Sequence, residues 1–222
     1  MEKSLIIKKL LIAFGIFVTI PLGNLSHLFD PIFDSIQYGQ ETKQFNYVFQ
    51  VIYYIVMIVV AFVVIKKLLN RNIFIGDEKS KEELSLKRTI TLYLLVLIPI
   101  LIISAICGWT FKPLYDLGDR CTGLEMRLIF MRYLITILCY VLMLMIMILT
   151  QEVFEDLIKT KYPIPYGGII FILTFGIYQL FLGISSFYGI YLLFGLLYGY
   201  LYLLSNRNFK RTFIMMVILF LL

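Results

Sequence analysis

Apolar runs close to the roughly 20 residues that carry a helix across a bilayer recur along almost the whole chain, and they restrict its solvent to lipid. Residues 4–22, 46–65, 89–107, 128–149, 166–185 and 186–204 read as spans, followed by a short seventh at 212–222. That last run reaches across only if it begins near Asn208 and the bilayer thins locally. The composition agrees: 61% of residues are hydrophobic and 15% charged, with a mean hydropathy of +0.91. Soluble domains hold roughly 45 to 50% apolar residues, so a soluble core does not account for these runs. The expected fold class is all-α, a polytopic transmembrane bundle of about seven helices, with residues 1–222 forming a single transmembrane domain. The first run is expected to remain as an anchor, because no small-x-small cleavage site follows it at Pro21, Leu22 and Gly23.

The net charge of +6 comes from 20 Lys and Arg against 14 Asp and Glu, and its distribution matters more than its size. In the spans above, 15 of these cations fall on one side: Lys3, Lys8 and Lys9, seven between Lys66 and Arg88, then Lys159, Lys161, Arg207, Lys210 and Arg211. The opposite loops hold Lys43, Lys112, Arg120 and Arg127, and Arg132 lies inside the fourth span. By the positive-inside rule the chain is expected in the cell membrane, multi-pass, with its amino terminus cytoplasmic. The basic loop from Lys66 to Arg88 is interleaved with Asp77, Glu78, Glu82 and Glu83, so it reads as a solvated loop beside anionic headgroups in preference to a docking surface for a soluble partner, and no nucleic-acid partner is expected.

Few groups could carry chemistry. The sole histidine, His27, and the sole tryptophan, Trp109, lie in outer loops, and polar outer loops with an interfacial Trp are expected of any such protein. Cys107 and Cys121 fall on the outer side, where compartment permits a disulfide that spacing alone does not establish, while Cys139 sits within the fourth span. Ionisable residues at membrane depth are costly and mark candidate sites. Arg132, near the outer end of its span, can snorkel to the headgroups. Glu152, Glu155 and Asp156 share a helix face where the fourth span meets the cytoplasmic side. They read either as a solvated acidic helix end balanced by Lys159 and Lys161, or as paired carboxylates able to activate water.

Known intramembrane hydrolase chemistries lack their residues here. Gly183-Ile184-Ser185-Ser186 comes nearest to a serine nucleophile motif, yet no histidine follows it. Asp116 and Asp119 share one loop, whereas an aspartyl pair needs two helices. One histidine cannot complete a His-Glu-x-x-His zinc site, so no metal or cofactor is expected. No internal repeat is evident, and Pro99 is the only proline deep in a span, which demotes a transporter.

From Gln151 onward, over about residues 150–222, the chain resembles the CAAX-protease and bacteriocin-processing family, also called the Abi family. Gln151-Glu152 with Phe154-Glu155-Asp156 stands where the family has Glu-Glu-x-x-x-Arg, keeping one glutamate and lacking the arginine. Phe175 to Gln179 stands in place of Phe-x-x-x-His, with Gln179 in the histidine position. Gly195 to Tyr202 reproduces the Gly-x-x-x-Gly helix, after which the family's last histidine and asparagine fall on Met215 and Leu219. The resemblance implies a degenerate member, a pseudo-protease whose scaffold is kept and whose peptidase chemistry, built on glutamate-activated water and orienting histidines, is gone. It implies a regulator that binds a membrane protein partner, such as a sensor histidine kinase or a cell-wall enzyme, in a Gram-positive membrane. The alternatives are a bacteriocin self-immunity protein and a residual glutamate-dependent peptidase. Gly195 and Gly199 are expected to serve helix packing or partner binding, as Gly-x-x-x-Gly faces do in membranes.

Overall fold

A helix that is apolar on every side must be enclosed by protein or by lipid, and this chain uses both solutions. The computed structural model describes residues 2–23, 39–73, 85–106, 123–158, 163–176 and 188–221. They form seven helices and, among the described residues, no strand. These are α1 (Glu2–Leu22), α2 (Gly39–Leu69), α3 (Leu86–Ile106), α4 (Gly123–Ile158), α5 (Tyr166–Phe171), α6 (Tyr188–Leu204) and α7 (Phe209–Leu221).

The expected spans and the observed helices differ in two ways. α2 and α4 extend past their apolar runs at both ends, because a helix continues into the polar interface wherever its side chains find water or partners there. The span expected at 166–185 is not one uninterrupted α-helix: α5 passes after Phe171 into a π-helical stretch, Ile172–Gly176, and residues 177–187 lie outside the described set. Among the described residues, three helical segments are long and apolar enough to cross a membrane: Lys3–Leu22, Phe45–Leu69 and Met126–Ile158.

α4 is the central element, packed by α1, α2, α5 and α7. Its stretch from Leu144 to Gln151 is buried on every side, so protein encloses this part of the helix. α1, α2 and α3 instead leave long apolar rows outward; on α3 these include Ile90, Tyr93, Leu97 and Leu101. Such rows need a lipid-like solvent, since a soluble protein rarely exposes an apolar patch of this extent.

Polar groups close the bundle at both ends. The last carbonyls of a helix have no partner within it; those of Thr19 and Ile20 in α1 accept hydrogen bonds from the Tyr53 and Tyr54 hydroxyls of α2, at 2.9 and 2.8 Å. At the other end Asn70 (φ 49°) takes the left-handed conformation that stops α2, which asparagine tolerates better than most residues. Asn206 and Arg207 (φ 56° and 58°) do the same between α6 and α7, with the Arg207 N–H reaching back to the Tyr202 carbonyl at 2.9 Å. Asn208 then caps α7, its side-chain oxygen accepting from the Arg211 N–H at 3.0 Å.

α5 and α6 approach each other through glycine. A Cβ on Gly168 would sit 2.5 Å from the Gly195 carbonyl oxygen and 3.1 Å from the Gly199 Cα, and one on Gly199 would sit 3.0 Å from the Gly168 Cα. Backbone meets backbone there, so no side chain can rotate away. Gly167 is equally tight against the Met147 backbone of α4. The Gly-x-x-x-Gly face thus packs against α5 of the same chain. We expect Gly168→Leu and Gly199→Leu each to destabilise the detergent-solubilised protein by about 3 kcal/mol or more, as overpacking against fixed backbone does. Gly123→Leu, whose Cβ meets nothing within 4 Å, should leave the thermal midpoint unchanged.

Candidate functional site at the acidic end of α4

The last turns of α4 carry Gln151, Glu152, Glu155 and Asp156, and the fold brings a cation to each carboxylate from a distant part of the chain. Lys9, in the second turn of α1, is 8% exposed, and its ammonium lies 3.1 Å from Glu152 and 3.3 Å from Asp156. Side chains on a helix point back toward its start, so a lysine this far into α1 still reaches the bundle end. Arg71, just past the turn at Asn70, approaches the other Glu152 oxygen at 2.7 Å. Arg207 approaches Glu155 at 2.8 Å from the α6–α7 turn.

Among the described residues three cations therefore face three carboxylates, and their charges balance. This balance is what permits their burial: a lone ion taken out of water costs several kcal/mol, and an opposite charge offsets that. Both Glu152 oxygens are buried and meet their cations without aligned hydrogen bonds, so the attraction there is mainly Coulombic. Arg207 adopts a left-handed backbone that costs a residue with a Cβ about 1–2 kcal/mol, and it is this turn that presents the guanidinium to Glu155.

Gln151, 1% exposed, ties the cluster to α5. Its amide nitrogen donates to Glu155 and to the Ile164 carbonyl, both at 2.8 Å, and its oxygen accepts from the Gly167 N–H at 2.8 Å. Both ends of the amide are used, so neither leucine nor glutamate could replace it: the first lacks polar atoms, and the second, when ionised, lacks donors. Arg88 at the start of α3 donates to Asn206 at 2.7 Å and joins the same end of the bundle.

The remaining candidate residues separate from this cluster. Met215 is half-buried and Leu219 is 1% exposed in the core. Next to Leu219, Phe220 packs on Tyr133 and Tyr140. Gln179 lies outside the described residues, as do Cys107, Cys121, His27 and Trp109. Arg132 is exposed on α4. It precedes Glu152 by 20 positions, about 30 Å along a helix, which is one hydrocarbon thickness. Gly195 and Gly199 are buried against Gly168, so that face is not open to a second protein.

Sequence reasoning located the carboxylates but not their partners. Lys159 and Lys161 lie outside the described residues; the cations found at the acidic end are Lys9, Arg71 and Arg207. One signal was present in the sequence: Lys9 interrupts an apolar run, and an ionisable group there calls for a counter-charge. Comparison with protein-family models, with characterised proteins and with solved structures found no match.

Removing one partner of a buried pair costs more than replacing the pair. Lys9→Met should destabilise the protein by about 3 kcal/mol, and Glu152→Met added to it should recover part of that loss in thermal unfolding. Asp156→Asn should cost under about 1 kcal/mol, because that carboxylate is 53% exposed. Gln151→Glu should destabilise more than Gln151→Met, since it removes the donors and adds a charge beside Glu155.

Proposed function

We propose that this chain is a non-enzymatic, multi-pass protein of the cell membrane, a degenerate Abi-type scaffold that binds and regulates another membrane protein. A sensor histidine kinase or a cell-wall enzyme is the partner class that this resemblance implies. The observation that carries the reading is the state of the two glutamates. Glu152 lies between Lys9 and Arg71, and Glu155 is held by Arg207 and Gln151. A general base needs a free lone pair directed at water in a cavity. These oxygens are directed at cations from other helices, which suits a brace between helices better than a catalyst.

The alternation of the helices supports the multi-pass reading. The start of α1, the end of α2, the start of α3, the end of α4, the start of α5 and the α6–α7 turn all meet in the polar cluster. Successive helices therefore run in opposite directions, and Lys9, Arg71, Arg88 and Arg207 collect at one end. The positive-inside rule places that end, with the amino terminus, in the cytoplasm. With the Gly195 and Gly199 face covered by α5, the outward apolar rows, that of α3 above all, are the surface on which a partner helix would act.

The test is purification in mild detergent from the native membrane, wild type beside Glu152→Gln, with mass spectrometry of what accompanies each. A membrane kinase or cell-wall enzyme near one-to-one stoichiometry in both samples is the expected outcome. A processed peptide present with wild type and lost with Glu152→Gln would replace this reading with a residual peptidase. A small toxin peptide as the sole companion would replace it with self-immunity.

A further inference from the structure

α1 and α2 run antiparallel, but between them lies an open groove of about 370 Å³, within the roughly 300–1,000 Å³ of small-molecule sites. Small residues create it. Gly15 on α1 is exposed, with nothing within 4 Å of where a Cβ would stand, and Ala61 on α2 forms part of the opposite wall. The groove is almost wholly apolar, and its two ends differ. Lys8 and Leu68 line one end, while Thr19 and Met57 line the other.

Its length is informative. Lys8 to Thr19 is 11 positions, as is Met57 to Leu68, so each wall is about 16 Å long. Half of a roughly 30 Å hydrocarbon core is about 15 Å, so the groove is one leaflet deep. The lysine end coincides with the polar end of the bundle, where neighbouring Lys9 meets Glu152. Lys8 itself is exposed, and so are Lys66 and Lys67 in the last turn of α2, next to Leu68. A phospholipid acyl chain has the matching shape, and an anionic headgroup the matching charge.

We propose that this groove binds one acyl chain of an anionic phospholipid from the leaflet on the Lys8 side, with its headgroup phosphate held by Lys8 and by Lys67 at the end of α2. The chain lies between Gly15 and Ala61 and fills the gap that the two helices leave.

The test is native mass spectrometry of the full chain released from bilayers containing equal amounts of dioleoyl-phosphatidylglycerol and dioleoyl-phosphatidylcholine. Wild type should keep one phosphatidylglycerol in preference to phosphatidylcholine. Gly15→Phe, which enters open space, should lower retention of either lipid about tenfold, since it displaces the acyl chain. Lys8→Gln should reduce the preference for phosphatidylglycerol about fivefold while leaving the groove able to take a chain, as expected for one lysine at an anionic headgroup. Gly123→Phe, at the opposite end, serves as the control and should behave as wild type. Wild-type retention in Gly15→Phe, or no headgroup preference in wild type, would overturn the assignment. So would a second polypeptide bound in place of lipid and lost in Gly15→Phe. Lys8→Gln keeps the test decisive should Gly15→Phe fold poorly, because an exposed lysine carries little of the fold.

Discussion

Charge neutralisation at the acidic end of α4 is the constraint on which the arrangement of the other helices depends. Glu152 and Glu155 sit at the end of the most enclosed helix in the molecule. At that depth they are tolerable only if cations accompany them. The cations come from α1, from the turn after α2 and from the turn before α7, so satisfying two glutamates fixes the ends of three other segments in space. Gln151 adds α5 through the Ile164 carbonyl and the Gly167 N–H. Two of these segments require left-handed backbone, at Asn70 and at Asn206-Arg207, to bring Arg71 and Arg207 inward. Ion pairs of this kind contribute more to register than to net stability, because desolvation offsets most of the Coulombic gain.

Close packing provides the second constraint and acts without charge. In lipid, helices gain little from hydrophobic burial against each other, so association relies on van der Waals contact and on small residues that let backbones meet. Gly168 against Gly195 and Gly199 is such a contact. It draws α6 onto α5, and α5 is already tied to α4 by Gln151 and by Gly167 against Met147. The two constraints therefore share α5, which joins the polar cluster to the glycine crossing.

On α7, Phe220 joins an aromatic cluster with Tyr133, Tyr140 and Tyr198, next to buried Leu219. The glutamate positions are held by cations. The bundle is thus packed core at the level of Leu219 and Met216, and a brace of ion pairs at the end of α4.

Much of this was legible in the sequence, because one-dimensional pattern suffices where a single solvent imposes it. Lipid demands long apolar runs, and these marked the apolar cores of α1, α2 and α4, though α2 and α4 run further at both ends. The acidic run from Glu152 to Asp156 and the glycine pair at 195 and 199 stood out as candidates. Which charges and backbones they meet was decided only by the tertiary structure. Lys9 and Glu152 are 143 positions apart, Gly168 and Gly195 are 27, and nothing in local spacing pairs them. Periodicity reports which face of a helix is apolar, but an ion pair or a backbone contact depends on how helices cross, and crossings are set by packing among elements remote in sequence. For the same reason the glycine face, readable as a docking site for another protein, turned out to be filled by α5, and the groove at Gly15 could not be seen until α1 and α2 were placed side by side.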